Sequence, residues 1–465
     1  MQIPILNGIY TDQNSDFRTS YPVNMIPVPK EQGISQGYLR PAEGIDQFAE
    51  LSGIDRGGIE WNNICYRVAG NKFIKVDANG AVTEIADLMG YGQCNFAYSF
   101  DYLAINSYPH LYLYDGNEVK QVTDEDLGVV LDVVWVDGYF MTTDGEFLIV
   151  NELNDPFSIN ILKYGSSEVD PDPIKAIIKV RNEIYALNRY TIEIFDNVGG
   201  ENFPFSRIDG AMCTKGSLGT NTACKYMDAV AFLGGAKNEP VALWLAMNGS
   251  ASKLSTREIE QIIHQFDEET LSKCLLETRL IDGHNWLYLH LPNQTLVYDS
   301  ASSEATQQPV WFVLSSGLTK DQYLAKNFVW CYGKWIVGHP TQPKLGTLTN
   351  QTGEHWGKEV KWEFGTMIMY NESRGAIFHS LELICLTGRN AINTEPYIST
   401  EYSLDGENWS NPKMIKTGKS GNLNKRLVWF QQGYMNNWRL QRFSGTSSCR
   451  LSVARLEANL EPLGV

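Results

Sequence analysis

The sequence has no long uninterrupted apolar run, and its apolar stretches fall far below the roughly 18 residues that a membrane-spanning helix needs. The first residues, MQIPILNGIYTDQ, lack the basic region followed by an apolar core that is typical of a signal peptide. The eight cysteines form no C-x-x-C pair, and Cys65, Cys331 and Cys385 lie in strand-like apolar context. We therefore expect no membrane span, no secretion signal and free, buried thiols.

Positive charge is in short supply, since 38 lysine and arginine residues stand against 54 aspartate and glutamate residues, for a net charge of −16. A protein that grips nucleic acid usually does so through a basic surface, because contacts to phosphate supply much of the affinity. This balance argues against tight nucleic-acid binding. It is compatible with a wall that DNA passes without adhering to it.

The motifs that would indicate an enzyme are incomplete. No G-x-S-x-G elbow is present, and TGKSG at residues 417–421 has Lys413 where a phosphate-binding loop needs its first glycine. SLDGENW at residues 403–409 lacks one residue of the S-x-D-x-G-x-x-W box found on sialidase propeller hairpins, and it predicts a turn. His284 and His290 share one face of a predicted strand, but two ligands are too few for zinc. We predict no catalytic residue, no cofactor and no metal site.

From about residue 58 to 350 one pattern recurs: a short apolar or aromatic run, a turn rich in Gly, Asn or Asp, and another such run. YRVAGNKFIKVDANGAVTEI is one example, and it predicts a hairpin followed by a third strand. The turn centres lie near residues 70, 107, 137, 181, 234, 284 and 333. Their spacing brackets the roughly 40 to 50 residues of a four-stranded blade, which predicts a six- or seven-bladed β-propeller-like domain. The irregular spacing leaves a large sandwich as an alternative.

One helical insertion is predicted among the strands, at residues 254–280. Ser255, with Glu258 three residues later, matches a capping box. The apolar residues that follow repeat with helical spacing: Ile259, Ile262, Ile263 and Phe266. A second helix is expected to begin at Asp267–Glu269 and to turn three leucines inward: Leu271, Leu275 and Leu276. We interpret the insertion as structural.

After about residue 360 the strands become longer, as in EVKWEFGTMIMY and RLVWFQQGYMNNWRLQRF. This pattern predicts a separate β-sandwich with four tryptophans as large buried anchors: Trp362, Trp409, Trp429 and Trp438. The chain as a whole is therefore expected to be all-β. Its domains are predicted as an extended N-terminal arm at residues 1–45, a propeller-like domain at 46–358 and a sandwich at 359–465.

The stretch YPVNMIPVPKEQGISQGYLRPAEGI, residues 21–45, holds four prolines, which disfavour both a helix and a central strand. It is too apolar for a free linker. We predict an arm whose side chains pack on a partner or a neighbouring subunit, through Tyr21, Pro22, Met25, Ile26, Tyr38 and Leu39. The alternative is intramolecular: the arm could run along the first blade, or GIDQFAEL at residues 44–51 could add a strand that closes the propeller.

Residues 21–45 resemble the N-terminal signature of the packaged DNA stabilisation proteins of short-tailed phages, also called tail accessory or tail hub proteins. A second block, STREIEQIIHQFDEETLSKCLLETRLIDGHNWLYLHLPNQTLVYDSASS, is similar to that family in its helix, in HLP at residues 290–292 and in LVYD at residues 296–299. The order and spacing of the two blocks are also similar to those of the family. Together they cover roughly residues 20–45 and 254–303.

The resemblance implies a non-enzymatic structural protein of the virion tail, a tail hub or nozzle, assembled in the host cytoplasm. It implies a homo-hexamer that extends the channel of the portal-adaptor ring protein, helps to retain packaged DNA until genome ejection, and anchors the tail needle and the tailspike trimers. DNA would pass through the lumen without sequence-specific binding, which agrees with the acidic balance. The alternative function is a carbohydrate-binding or carbohydrate-hydrolysing β-propeller.

Overall fold

The computed structural model describes residues 2–6, 8–11, 17–30, 35–153, 155–372, 374–390, 392 and 394–463, and it shows a β-propeller joined to a β-sandwich. Six strands precede the first complete blade: β1 (Gln2–Ile3), β2 (Gly8–Thr11), β3 (Phe17–Ser20), β4 (Met25–Pro29), β5 (Gly37–Pro41) and β6 (Gly44–Glu50). β2 pairs with β3, and β4 pairs with β5, so two hairpins form before the propeller begins.

The propeller has seven blades, and blades 1 to 4 each consist of four consecutive antiparallel strands. Blade 1 contains β7 (Asp55–Trp61), β8 (Ile64–Ala69), β9 (Lys72–Val76) and β10 (Val82–Asp87). Blade 2 contains β11 (Asn95–Tyr98), β12 (Leu103–Ser107), β13 (His110–Tyr114) and β14 (Val119–Gln121). Blade 3 contains β15 (Asp132–Val136), β16 (Tyr139–Thr143), β17 (Phe147–Glu152) and β18 (Asp155–Ser166). Blade 4 contains β19 (Ile174–Val180), β20 (Glu183–Asn188), β21 (Ile192–Asn197) and β22 (Phe205–Arg207).

The later blades include short helices. Blade 5 contains β23 (Gly216–Ser217), a 3₁₀ turn (Thr220–Thr222), β24 (Ala223–Tyr226), β25 (Ala229–Gly235), β26 (Ala242–Met247) and β27 (Ser250–Lys253). Two helices follow, α1 (Arg257–Ile263) and α2 (Glu268–Ser272). Blade 6 contains β28 (Leu275–Ile281), β29 (His284–His290), β30 (Thr295–Asp299), helix α3 (Ser300–Thr306) and β31 (Val310–Leu314). Blade 7 contains β32 (Lys326–Cys331), β33 (Lys334–Gly338) and β34 (Lys344–Thr349).

Two sheets form the sandwich. Its strands from the C-terminal part of the chain are β35 (Lys361–Gly365), β36 (Met369–Tyr370), β37 (Ala376–Leu386), β38 (Tyr397–Ser403), β39 (Lys413–Lys416), β40 (Leu427–Phe430), β41 (Tyr434–Met435), β42 (Trp438–Thr446) and β43 (Ser452–Pro462). One sheet has the order β35-β42-β38-β39, with β36 also on β42. The other has the order β4-β5-β43-β37-β40, with β1 on β43 and β41 on β37. The all-β prediction of a propeller and a sandwich is thus confirmed.

Tight turns join the first two strands of several blades. Asn62 and Asn63, between β7 and β8, have φ angles of 51° and 60°. Two consecutive residues with positive φ are typical of a type I′ turn, whose twist matches that of the strands it joins. Asp137–Gly138 and Asp282–Gly283 also have positive φ at both positions, in blades 3 and 6. The Asn-, Asp- and Gly-rich turns of the sequence therefore mark these hairpins correctly.

A strand from the N-terminal region closes the ring of blades. β6 pairs antiparallel with β34, from Gly44 opposite Thr349 to Glu50 opposite Lys344, and it supplies the fourth strand of blade 7. Ile45 is fully buried there. Of the alternatives for residues 44–51, the structure shows closure of the propeller. Because both ends of the propeller chain share one sheet, opening the ring requires breaking the hydrogen bonds of that sheet.

The structure corrects the expectation of an extended arm at residues 1–45. β1, β4 and β5 belong to the sandwich, where β1 and β5 pair with the C-terminal strand β43. Proline is tolerated because β4 is an edge strand, and because Pro27, Pro29 and Pro41 occupy alternate register positions of the β4–β5 hairpin. The missing N–H groups then all fall at positions that make no ladder hydrogen bond within the hairpin.

The helical insertion begins one residue later than the capping box suggests. Thr256 is the N-cap of α1, and its hydroxyl accepts a hydrogen bond from the backbone N–H of Ile259, so Ser255 does not have the predicted role. Ile259 and Ile263 are fully buried, whereas Ile262 is half-buried. The buried stripe of α1 is therefore narrower than the sequence predicts.

The predicted helical span also ends too late, because α2 stops at Ser272. Leu275 and Leu276 lie in β28, which pairs along its whole length with β29. This pairing overrides the local helical preference of the segment. α3 was not predicted. None of the helices in the described ranges has both the length and the apolar composition that crossing a bilayer requires.

Aromatic residues fill the sandwich core. Phe364 and Phe443 stack with ring centroids 5.3 Å apart, and Trp362 and Trp429 are buried beside them. Trp409 and Trp438 are only half-buried, so two of the four predicted tryptophan anchors lie at the margin of the core. The eight cysteines are free, and six of them are buried.

The packing of α1 gives a matched pair of variants. Ile263→Asp places a carboxylate at a fully buried position and is expected to lower the free energy of unfolding by about 3 to 5 kcal/mol. Ile262→Asp, one residue earlier and half-buried, is expected to cost clearly less because water reaches the carboxylate. Urea unfolding followed by tryptophan fluorescence measures both. Equal losses would contradict the burial pattern of α1.

Candidate functional site: the propeller channel and the junction with the sandwich

The first strands of the blades surround a central channel. Residues of β7, β11, β15, β19, β24 and β28 line a cavity of about 740 Å³. A cavity of this size has room for a small molecule. Buried polar groups hold its walls together.

Asp132, at the start of β15, connects three blades. One carboxylate oxygen accepts a hydrogen bond from the side-chain amide of Asn95 in blade 2 at 2.9 Å, and the other accepts from the backbone N–H of Ile177 in blade 4 at 3.0 Å. Burial raises the pKa of this carboxyl to about 7, against the opposing effect of these donors. Asp132 therefore fixes the inner strands of blades 2, 3 and 4 relative to one another.

A buried ion pair performs a similar role between blades 1 and 7. Asp55 and Arg67 lie 3.1 Å apart with no solvent exposure, and the side-chain amide of Asn327 donates to Asp55 at 2.7 Å. Glu277 in blade 6 accepts hydrogen bonds from the backbone N–H groups of Asn327 and Phe328, both at 2.9 Å. The walls of the channel are thus cross-linked between blades.

The predicted interface residues lie mainly inside the chain. Met25 and Leu39 are fully buried in the sandwich core, and Ile26 is buried against blades 6 and 7. Pro22 is buried, and its carbonyl oxygen accepts a hydrogen bond from the backbone N–H of Val313 at 2.9 Å.

Tyr21 and Tyr38 are half-buried. The hydroxyls of Tyr21 and Thr256 lie 2.7 Å apart, and the ammonium group of Lys30 lies 5.1 Å from the ring centre of Tyr38. Four of the six predicted interface residues are thus buried within the chain itself, whereas contact of Tyr21 and Tyr38 with a partner stays a prediction. The apolar surface of the buried four is used to join the chain's own two domains.

Asn24 is the centre of this junction. Its side-chain amide nitrogen donates to the carbonyl oxygens of Ser315, after blade 6, at 3.0 Å and of Lys361, in the sandwich, at 2.7 Å. Its side-chain oxygen accepts from the backbone N–H of Ser315 at 3.0 Å. The residue has φ of 53°, a left-handed conformation that asparagine tolerates better than most residues. One buried side chain therefore links the N-terminal segment to both domains.

Further contacts strengthen the junction. The backbones of Val23 and Glu363 exchange two hydrogen bonds, at 2.8 and 3.0 Å. Glu43 forms an ion pair with the buried Arg279 of blade 6 at 2.7 Å, and the Arg279 guanidinium stacks 5.2 Å from the ring centre of Trp335 in blade 7. Sequence reasoning missed these residues, since a single Asn or Glu in a proline-rich stretch has no signature of its own. The only available signal for Asn24 was its position between two prolines.

The motifs with possible chemistry have structural roles. Ser403 and Asp405 form the turn between β38 and β39, where Asp405 accepts hydrogen bonds from the backbone N–H groups of Glu407 and Asn408. TGKSG lies in the loop between β39 and β40. The Nδ1 atom of His284 lies 2.8 Å from a carboxylate oxygen of Asp299, and the Nε2 atom of His290 lies 2.8 Å from a carboxylate oxygen of Glu277. Within the described ranges, no three His, Cys, Asp or Glu residues are placed to hold a metal ion.

The comparison with protein families matches both domains. The family model described as "Bacteriophage P22 Gp10, beta-propeller" matches residues 1–353, and the one described as "Bacteriophage P22 Gp10, beta-sandwich" matches residues 361–461. The chain belongs to the Gp10 family. Membership makes it a structural tail hub protein and a component of a phage virion tail, and the predicted resemblance is confirmed.

Individual relatives agree with this assignment. The tail hub protein gp10 of Salmonella phage P22 is 29% identical over 455 residues, which span 93% of each chain. Among solved structures, the Pan2 WD40 domain of Neurospora crassa is 9% identical, with a TM-score of 0.43 over 66% of this chain and 95% of that one. The computationally designed protein Ika8 is 13% identical, with a TM-score of 0.38 over 65% and 99%.

The geometry of Asn24 predicts the effect of two substitutions. Asn24→Ala removes the four side-chain hydrogen bonds to Ser315 and Lys361 and leaves a residue without a polar side chain at positive φ, which should cost about 2 to 4 kcal/mol. Asn24→Gly loses the same hydrogen bonds but relieves the backbone, so it should cost about 1 kcal/mol less. Urea unfolding checks both values, and an unchanged midpoint in Asn24→Ala would show that the junction does not depend on this side chain.

The raised pKa of Asp132 predicts a pH dependence. The folded protein binds the proton more tightly than the unfolded chain does, so this contribution to stability is present at low pH and is lost as the pH rises through about 7. The parent protein should therefore lose up to about 3 kcal/mol relative to Asp132→Asn between pH 5 and 8. Urea titrations of both proteins at a series of pH values measure the difference. A difference that does not change with pH would contradict the prediction.

Proposed function

We propose that six copies of this chain form a ring in the assembled tail, below the portal-adaptor ring protein, and that the ring anchors the tail needle and the tailspike trimers. Family membership carries the proposal, since both domain families match this chain and the P22 relative is a tail hub protein. The junction supports it. A hub that bears other tail proteins benefits from two domains that cannot rotate freely, and Asn24 and Glu43 restrict such rotation.

In this proposal, DNA passes through the lumen of the ring and not through the propeller channel. The propeller cavity of about 740 Å³ is the size of a small-molecule site, which is far too small for a duplex. The protein makes no sequence-specific contact with DNA and helps to retain it by forming the wall of the conduit. The net charge of −16 supports this role, because a wall with excess negative charge does not bind phosphate strongly.

We further propose that the protein is not an enzyme and needs no cofactor. The carboxylates and histidines that the sequence offers for chemistry are used in contacts within and between blades. Asp132, Asp55 and Glu277 each accept hydrogen bonds that hold neighbouring strands.

Assembly with the portal-adaptor ring protein tests the proposal. Light scattering on the purified mixture should give a mass increase that corresponds to six copies per adaptor ring, and the isolated protein should not bind duplex DNA at physiological salt. Asn24→Ala serves as a comparison, because a loosened junction should reduce the yield of the ring. A protein that remains unbound to the adaptor ring, or that hydrolyses members of a glycan panel, would overturn the proposal.

A further inference from the structure

The charge of the chain is divided unevenly between its two domains. Residues 359–465 contain 12 lysine and arginine residues against 10 aspartate and glutamate residues, whereas residues 1–358 contain 26 against 44. The propeller and its N-terminal segment therefore carry a net charge of −18, and residues 359–465 carry a net charge of +2. A difference in net charge of this size between the two parts of the chain affects which surfaces attract one another.

The positive charge is concentrated at one end of the sandwich. Residues 411–426 contain five cations and no acid, and all five are exposed: Lys413, Lys416, Lys419, Lys425 and Arg426. The loop after β37 lies beside this segment, since the backbone N–H of Gly421 donates to the carbonyl oxygen of Gly388 at 2.9 Å, and it adds the exposed Arg389. We call these six cations the basic tip.

Exposed aliphatic side chains accompany the basic tip. Leu386, Ile392 and Leu423 are 56%, 81% and 66% exposed. Cations alone would suit a phosphate backbone, but large exposed aliphatic residues are typical of a surface that another protein covers. The combination favours an acidic protein surface over nucleic acid.

The propeller offers such a surface on blades 2 and 3 and the connection to blade 4. Residues 101–172 contain 15 acids and only two bases, Lys120 and Lys163. Three connections emerge at one end of these sheets, β14–β15, β16–β17 and β18–β19, because successive strands alternate in direction. The backbone N–H of Leu131 donates to the carbonyl oxygen of Thr143 at 2.8 Å, and the backbone N–H of Ile174 donates to the carbonyl oxygen of Gly145 at 2.9 Å. These two hydrogen bonds bring the three connections together.

The exposed acids of these connections form what we call the acidic face: Glu125, Asp126, Glu146, Glu168 and Asp170. The sandwich meets the propeller at blades 6 and 7, through the bridge between Val23 and Val313 and the hydrogen bond from Arg450 to Asn350 at 2.6 Å. In a closed ring of seven blades, blade 3 lies across from the boundary between blades 6 and 7. The sandwich that carries the basic tip therefore attaches on the side of the propeller opposite blade 3, which carries the acidic face.

We propose that the basic tip of one copy docks on the acidic face of a second copy. Two different, complementary surfaces make a head-to-tail contact, and such contacts generate rings when the rotation closes. The inference rests on the proposed function, in which copies form a ring, and it names the surfaces that meet. Opposite charges across the contact would also set its orientation and speed its formation.

Charge reversal tests the contact. Lys419→Glu with Lys425→Glu changes two lysines of the tip that form no ion pair among the described residues, whereas Lys416 and Arg426 pair with Glu395 and Glu382. Sedimentation velocity at about 10 mM salt, where the Debye length is about 30 Å and charges interact over that distance, should show concentration-dependent self-association of the parent. The double variant should associate at least about tenfold more weakly. The matched control, Lys75→Glu with Lys237→Glu, makes the same change in net charge at exposed lysines of blades 1 and 5 and should associate like the parent.

A compensating change identifies the partner surface. Glu146→Lys with Glu168→Lys should also weaken association, and a mixture of tip-reversed and face-reversed chains should associate again because each supplies the complement of the other. Failure of the mixture to recover would overturn the proposal. The proposal would also be overturned if the parent bound duplex DNA at about 10 mM salt and the tip variant lost that binding while its self-association stayed intact. The tip would then be a nucleic-acid-binding surface.

The test also separates this inference from the proposed function. A parent protein that stays monomeric at low salt, yet adds six copies to the adaptor ring, would overturn the contact between tip and face but leave the tail hub proposal standing. The same holds if tip-reversed chains load the adaptor ring as well as the parent does. Failure of the parent to load the adaptor ring would instead overturn the proposed function.

Discussion

The pairing of β6 with β34 closes the propeller and thereby fixes the path of the chain that precedes β6. With Gly44 held opposite Thr349, the chain before it must pass the boundary between propeller and sandwich. Asn24 lies at that boundary and bonds to both domains. β1 and β5 then join the C-terminal strand β43, so the two ends of the chain complete the same sheet. The sandwich is therefore built from both ends of the chain.

The reactive polar side chains that line the propeller are used to hold its blades together. Seven similar sheets around one axis must be kept at fixed angles, and apolar packing between blades is not directional. Buried carboxylates supply direction, since Asp132 and Glu277 each accept hydrogen bonds from a neighbouring blade. Residues that would suggest catalysis in another setting are here part of the frame. A frame of this kind suits a protein whose role in the tail is structural.

The same frame places opposite charges on different sides of the molecule. The sandwich with its basic tip attaches at blades 6 and 7, whereas the acidic connections surround blade 3 on the opposite side of the ring. The net charge of −16, taken alone, hides this because it averages the two domains.

Local signals in the amino-acid sequence are enough to predict the all-β class, the propeller with its repeated hairpins, the C-terminal sandwich and the family resemblance. These follow from local signals: Asn-, Asp- and Gly-rich turns such as Asn62–Asn63 fix hairpins through backbone conformation alone. Only the tertiary structure decided where residues 21–45 pack, since their prolines exclude some local structures but do not name a partner, and an edge position in a distant sheet satisfied them. It also decided that Leu275 and Leu276 form a strand, because pairing with β29 outweighs a helical preference worth only fractions of a kcal/mol per residue. Contacts between residues far apart in the chain, such as Asn24 with Ser315 and Lys361, leave no periodic trace in the sequence, and they are what joins the two domains.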